Sequence, residues 1–266
     1  MNQISLYHIA HGWAPFGFSL TLPQLANRPK FLVICAMTFI LISMIKEELE
    51  LMKIMIIGAT GMAGQALVTT ALNRGHQVVA VARSAEKLAT LPSNPNLTSI
   101  VRDAFNLTTT DLSAVDAVVD AFATAPDHAY LHVDLATHLI SQLRETTTPR
   151  VAFILGAGSL TTGDDAHLFV HDLEQDPHAA SFISVPQNQL KELTFLRDVD
   201  NVNWFGVSPA ADFHPGEAQP ALLGTDTLLF NDQQQSGTSA GTMAVAILDE
   251  LENPKHHQTR FTVADK

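Results

Sequence analysis

The chain has 266 residues, of which 46% are hydrophobic, so a sizeable core can form in one large domain or two small ones. Its 27 acidic residues outnumber 15 basic ones for a formal net charge of −12, and no basic run occurs, which argues against a nucleic-acid partner held by clustered Lys and Arg. Cys35 is the only cysteine, so a disulfide framework, a CxxC pair and a thiolate metal site are all excluded, and the usage suits a reducing cytoplasm.

Residues 1 to 51 differ in character from the remainder of the chain. Residues 31 to 45, FLVICAMTFILISMI, are almost wholly apolar, but a membrane span needs about 20 such residues. Lys46 is followed by Glu47, Glu48 and Glu50 rather than by the small residues of a signal cleavage site, so membrane attachment and secretion are both disfavoured. Lys46-Glu47-Glu48 can be encoded by AAG-GAG-GAA, which contains a ribosome-binding sequence, and Met52 stands shortly after. The expectation is therefore a translated leader over 1–51 and a functional cytoplasmic protein over 52–266, oligomeric state open.

From Lys53 the chain reads KIMIIGATGMAGQALVTTALNRGHQVVAVARS. Ile54 to Ile57 is a short β-branched apolar run ending at Gly58, the pattern of a strand buried on both faces. Ala66, Leu67, Ala71 and Leu72 then keep helical spacing until Asn73-Arg74-Gly75 ends the helix, and Gln77 to Ala82 is a second strand. Gly58, Gly61 and Gly64 fall between the first strand and the helix. The first permits a tight turn, the second lets backbone approach a pyrophosphate, and the third lets the helix pack on the strand. Strand, glycine triplet, helix and second strand together are the context that gives such a triplet meaning. Cofactor-binding candidates here are Gly58, Thr60, Gly61, Met62 and Gly64. At the exit of the second strand, where an NAD site usually places a carboxylate, stands Arg83, which suits the 2′-phosphate of NADPH; NADH is the second choice.

Farther along, Thr98 to Val101 reads as a third strand, Ala117 to Phe122 as a fourth, Val151 to Leu155 as a fifth, Val202 to Val207 as a sixth and Thr259 to Val263 as a last. Helices are expected over Tyr130 to Arg144, Gln187 to Arg197 and Ala240 to Leu251. This alternation predicts an α/β fold with a doubly wound parallel sheet and ligands at the carboxyl ends of its strands. Residues 208 to 237 are rich in Pro and Gly and read as a loop that covers the substrate.

Neither Tyr7 nor Tyr130 has Lys four residues on, so the Tyr-x-x-x-Lys acid of alcohol-oxidising short-chain dehydrogenases is missing. Where it would fall the chain has Gln187 and Lys191, and Lys191 reads as a surface residue. His128 with His132 and His167 with His171 have helical spacing but lack any motif with metal mechanics, so no metal is expected.

The segments GATGMAG (58–64), VARS (81–84), DAVVDAFA (116–123), GAGSL (156–160), WFGVSPAADFHPGE (204–217) and DELENPKHHQTRFTVA (249–264) resemble the atypical short-chain dehydrogenase/reductase superfamily. More narrowly, they resemble its NAD(P)H-binding group of NADH-flavin-reductase-like proteins, relatives of biliverdin-IXβ/flavin reductase, from Met52 to about Ala264. The resemblance implies a Rossmann-like fold with Asp103 near the adenine and Ala121, Phe122 and Ala123 beside its ribose. It also implies Gly156 to Ser159 near the nicotinamide, with Pro209 in the same pocket. Leu155 departs from the pattern, since relatives often carry glycine there. Ser159 is the candidate catalytic residue, able either to bond a carbonyl or to cap its turn.

The expected activity is hydride transfer from NADPH to a small-molecule acceptor: a flavin, a quinone or a carbonyl compound. The alternative is a non-catalytic NADP(H) sensor, which needs no proton donor. A sugar-nucleotide or isomerase reading is weakened by the missing tyrosine. Intact-mass measurement of the native protein should place its N-terminus at Met52; a mature terminus at Met1 overturns the leader.

Overall fold

The computed structural model describes residues 51–266, so the expected leader lies almost wholly outside the described residues. β1 (Lys53–Ile57), α1 (Met62–Asn73) and β2 (Gln77–Ala82) form the first βαβ unit. Next come α2 (Ala85–Leu88), β3 (Leu97–Val101), α3 (Thr109–Leu112) and β4 (Ala117–Asp120). They are followed by α4 (Leu131–Leu143), β5 (Thr146–Ile154), the short pair β6 (Thr161–Thr162) and β7 (His167–Leu168), α5 (Phe169–Gln175), α6 (Ser184–Arg197) and β8 (Val202–Pro209). The last elements are β9 (Asp212–His214), β10 (Ala221–Gly224), β11 (Gly237–Ser239), α7 (Ala240–Glu252) and β12 (Thr259–Asp265).

The main sheet has the order β10-β12-β8-β5-β4-β1-β2-β3. Seven strands are parallel, and only the edge strand β10 runs antiparallel, against β12. This is the doubly wound sheet expected. The strand order reverses between β1 and β4, and that reversal opens a crevice at their carboxyl ends.

Both faces of the sheet are covered, which is why its central strands are continuous apolar runs. Ile54, Ile56 and Val119 pack with Leu67, Val68 and Ala71 of α1 and with Met243, Ala244 and Ile247 of α7. Met55, Ile57 and Val118 point the other way, toward Leu135 and Leu139 of α4 and Leu193 and Leu196 of α6. On α4 the buried set is His132, Leu135, Ala136, Leu139, Ile140 and Leu143, one stripe at helical spacing.

The element ends differ from the expected ones for local reasons. β4 stops at Asp120 although its apolar run continues, because Ala121 turns against the backbone of Gly58. β5 starts early, at Thr146; Pro149 interrupts its signal, and a register shift between Thr146 and Val151 absorbs the irregularity. α6 starts at Ser184 because Pro186 falls in its first turn, where proline is tolerated. The expected covering loop at 208–237 is partly structured. β9 and β11 pair in parallel, and Thr238 Oγ1 accepts from Ala210 N at 2.8 Å while donating to Val263 O at 2.7 Å.

At the amino ends of the central strands a buried ion pair closes the sheet against α7. Arg150 Nη2 donates to Glu250 Oε1 at 2.6 Å, and the guanidinium lies 4.3 Å from the centre of the Phe205 ring. The tightest backbone approach is at the opposite ends. A Cβ on Gly64 would stand 2.2 Å from Gly58 O and 2.7 Å from Ala59 Cα, and neither can move as a side chain could. Gly64→Ala should therefore cost about 3 kcal/mol, as a lowered urea midpoint; an unchanged midpoint would show that α1 is free to shift.

Candidate functional site

The crevice is built first by backbone. Gly58 leaves β1 with φ +73°, its N–H donates to Val81 O at 3.1 Å, and a Cβ there would meet Ala121 O at 2.5 Å. Only glycine fits both the left-handed conformation and the contact. Gly61 N–H donates to Gly58 O at 2.9 Å and closes the turn; Gly61 is the N-cap of α1 and offers no side-chain cap. The first turn of α1 carries no acidic residue, and Gly61 and Met62 are exposed. Its leading N–H groups and partial positive charge are thus available to an anion such as a pyrophosphate. Thr60 sits half-buried on the same turn and accepts from Gln65 Nε2 at 2.9 Å through its carbonyl.

Arg83 is exposed at the end of β2 and lines a cleft of about 510 Å³ together with Ala123, Thr124, Ala125, His128 and Leu131. Ala121 is buried against Gly58, and Ala123 opens onto the cleft. Phe122 turns inward and packs edge-on against Phe105 and His132. Asp103 caps a turn after β3. Its carboxylate accepts from Phe105 N at 3.1 Å and caps the turn at Ala104–Asn106, and it does not line the cleft.

The turn after β5 is closely packed. Gly156 is buried, and a Cβ there would meet Gln189 Oε1 of α6 at 2.2 Å. Ser159 is 5% exposed; its hydroxyl donates to Gly156 O at 3.1 Å and accepts from Arg260 Nη1 at 3.3 Å. Ser208 Oγ donates to the same Gly156 O at 3.0 Å and accepts from the same Nη1 at 3.0 Å. Arg260 also pairs with Asp226. Ser159 thus occupies the turn-capping alternative, tied into a knot that joins β5, β8 and β12. The departure at Leu155 is absorbed by Gly206 of β8, since a Cβ on Gly206 would stand 2.5 Å from Leu155 Cδ1.

Three buried titratable groups form a cluster that local sequence patterns do not reveal. Asp120 ends β4 on the face of Val118, and its Oδ1 accepts from Phe122 N at 3.0 Å. His132 at the start of α4 and Glu192 on α6 belong to the same side of the sheet, with His132 Nδ1 4.0 Å from Glu192 Oε2. The three are 6%, 5% and 2% exposed, and Glu192 Oε2 has no hydrogen-bond partner. Burial raises Asp120 to about 7, against the lowering effect of the Phe122 N–H. Burial, with the nearby Asp120 charge, also pushes Glu192 well above the carboxylate range, and burial pushes His132 down to about 4. His132 is therefore a neutral imidazole at neutral pH, and it faces an acid whose burial favours the protonated form. The sequence signals were a lone Asp inside VVDAFA and a Glu in the buried phase of a helix.

His128 and His132 do not share a site: His128 lines the cleft and His132 lies beneath Phe122. Lys191 is exposed on α6. No helix among the described residues is long and apolar enough to cross a membrane.

The model of a family described as NAD(P)H-binding matches residues 58–254. A Lactobacillus casei protein of solved structure is 40% identical, with a TM-score of 0.76 over 80% of this chain and 99% of its own. A candidate NADH-flavin reductase from Streptococcus pneumoniae TIGR4 is 33% identical, with a TM-score of 0.72 over 81% of this chain and 100% of its own. A candidate epimerase from Bacteroides thetaiotaomicron is 31% identical, with a TM-score of 0.70 over 81% and 98%.

The raised Asp120 sets a direction for stability. Its folded pKa exceeds the unfolded value, so its contribution to stability is fully present below about pH 4 and is lost as pH rises through about 7. Asp120→Asn keeps an acceptor for Phe122 N and should match the wild type near pH 4 but exceed it by a few kcal/mol above neutrality. Urea unfolding at both pH values decides it; equal stability at both would mean that the buried acid costs nothing.

Proposed function

The chain belongs to the NAD(P)H-binding family, and on that premise we propose that it is an NADPH-dependent reductase passing hydride to a flavin, quinone or similar planar acceptor. The family match and the flavin-reductase-like neighbour support the coarser reading of an NAD(P)H-dependent oxidoreductase. One observation carries the cofactor preference. Arg83 stands at the end of β2 and opens onto the cleft, and the next acidic residue is Glu86, inside α2. A guanidinium there offers paired donors to a 2′-phosphate and no acceptor to a ribose diol.

The crevice fits a dinucleotide. Gly61 leaves the turn without a side chain, Gly58 and Gly64 let it close on Ala121 and Ala59, and the uncapped start of α1 receives the pyrophosphate. The nicotinamide supplies the hydride when bound. The chain's own work is to bind and orient: the turn at Gly156–Ser159 is fixed by Arg260 and Ser208, so a ring placed beside it meets a surface that does not yield. Flavins and quinones can take their proton from water, so the absence of a tyrosine on α6 is compatible with turnover. A sensor that binds NADP(H) without turnover would use the same cleft. Steady NADPH oxidation with FMN or a quinone supports the enzyme, and tight binding with every acceptor inert supports the sensor.

Arg83→Asp should weaken NADPH binding by about 10- to 100-fold while NADH binding holds or improves, as read from nicotinamide fluorescence titrations. An unchanged ratio of the two affinities overturns the assignment of Arg83.

A further inference from the structure

Asp120 connects two parts of the molecule. On one side its Oδ1 holds Phe122 N–H at 3.0 Å, in the segment Ala121–Ala123 whose backbone touches Gly58 and whose end lines the cleft. On the other side it belongs to the buried group with His132 and Glu192, whose Oε2 lacks any partner while Glu192 is 2% exposed. Two carboxyls this deeply buried cannot both ionise cheaply, because each charge loses its water and repels the other. Protonating Asp120 relieves both penalties.

We propose that Asp120 is the positioning residue for the cofactor segment Ala121–Ala123, and that its exchangeable proton couples dinucleotide binding to proton uptake. The inference rests on the family's NAD(P)H binding and not on the reductase reading, so an acceptor screen that fails leaves it intact.

The coupling has a definite sign. The dinucleotide is an anion, and its pyrophosphate would lie at the glycine loop that Ala121 touches. Negative charge placed there favours protonated Asp120, so binding takes up a proton and affinity falls as pH rises through neutrality. The strands on either side add no competing charge, since Asp120 lies in register with Ile57 of β1 and Phe153 of β5. α4 contributes His132, which is neutral there, and α6 contributes Glu192, with Lys191 next to it exposed to solvent. The remaining titratable groups around the crevice are Asp103, bound to Phe105 N–H, Arg83, and the exposed pair Asp127 and His128.

The test is the dissociation constant of NADPH and of NADH, by nicotinamide fluorescence, across about pH 6 to 9. NADH is included because its phosphates do not titrate in this range. In the wild type, both constants should rise by roughly tenfold across the range, the effect of one linked proton. Asp120→Asn keeps the bond to Phe122 N but has no proton to exchange, so binding should persist with its pH slope gone. Asp120→Ala loses the bond as well and should bind more weakly at every pH. A merely structural Asp120 would leave the slope in the Asn variant, and that result overturns the proposal. So does a flat wild-type profile, or a slope that disappears in His128→Gln instead.

Discussion

The contact between Gly58 and Ala121 governs the rest of this molecule. β1 and β4 are neighbours in the sheet, and the chain leaves them toward opposite faces. Their exits meet so closely that a Cβ on Gly58 would stand 2.5 Å from Ala121 O. That approach directs the glycine turn and brings α1 in at the angle that leaves its amino end open. Gly64 continues the same constraint one turn later by letting α1 lie on the backbone of Gly58 and Ala59. The site is thus assembled from main chain, which is rigid and places fixed dipoles without the entropy cost of ordering long side chains.

The second half of the crevice obtains its rigidity in another way. Around Gly156–Ser159 the Ser159 carbonyl and two serine hydroxyls gather on one buried guanidinium, Arg260. Satisfying a buried charge with several neutral acceptors and one carboxylate is stable only if every partner stays in place, so the knot ties β5, β8, β12 and the Asp226 segment together. Gly206 and Leu155 show the same coupling in apolar form: the space one residue gave up is filled by the side chain of the other.

Two buried polar groups make an instructive contrast. At the amino ends of the strands Arg150 and Glu250 neutralise one another, and the carboxylate also accepts from Lys255 N, His256 N and His256 Nδ1, although Arg150 Nε is left without a partner. At the carboxyl ends Asp120, His132 and Glu192 contain no cation able to neutralise the acids, and one oxygen is left without a partner. The first arrangement holds the sheet on α7. The second detracts from stability and borders the segment Ala121–Ala123 at the crevice, a kind of place where local cost is commonly tolerated for the sake of function.

The sequence alone determined the βαβ start, the parallel sheet and Arg83 at the strand exit. These depend on short-range rules: period, glycine placement and the residue at the end of a strand. It also showed that the usual tyrosine acid is absent. The pairing of β10 with β12, the β9–β11 pair, the Arg260 knot and the Asp120–His132–Glu192 group were decided only by tertiary structure. The reason is sequence distance: Arg260 reaches Ser159 across 101 positions, a separation at which no local pattern can tell a buried partner from a solvated one. Asp103 and Ser159 make the same point from the other side. In each the local hydrogen bonds, to Phe105 N and Gly156 O, show what the side chain is engaged in.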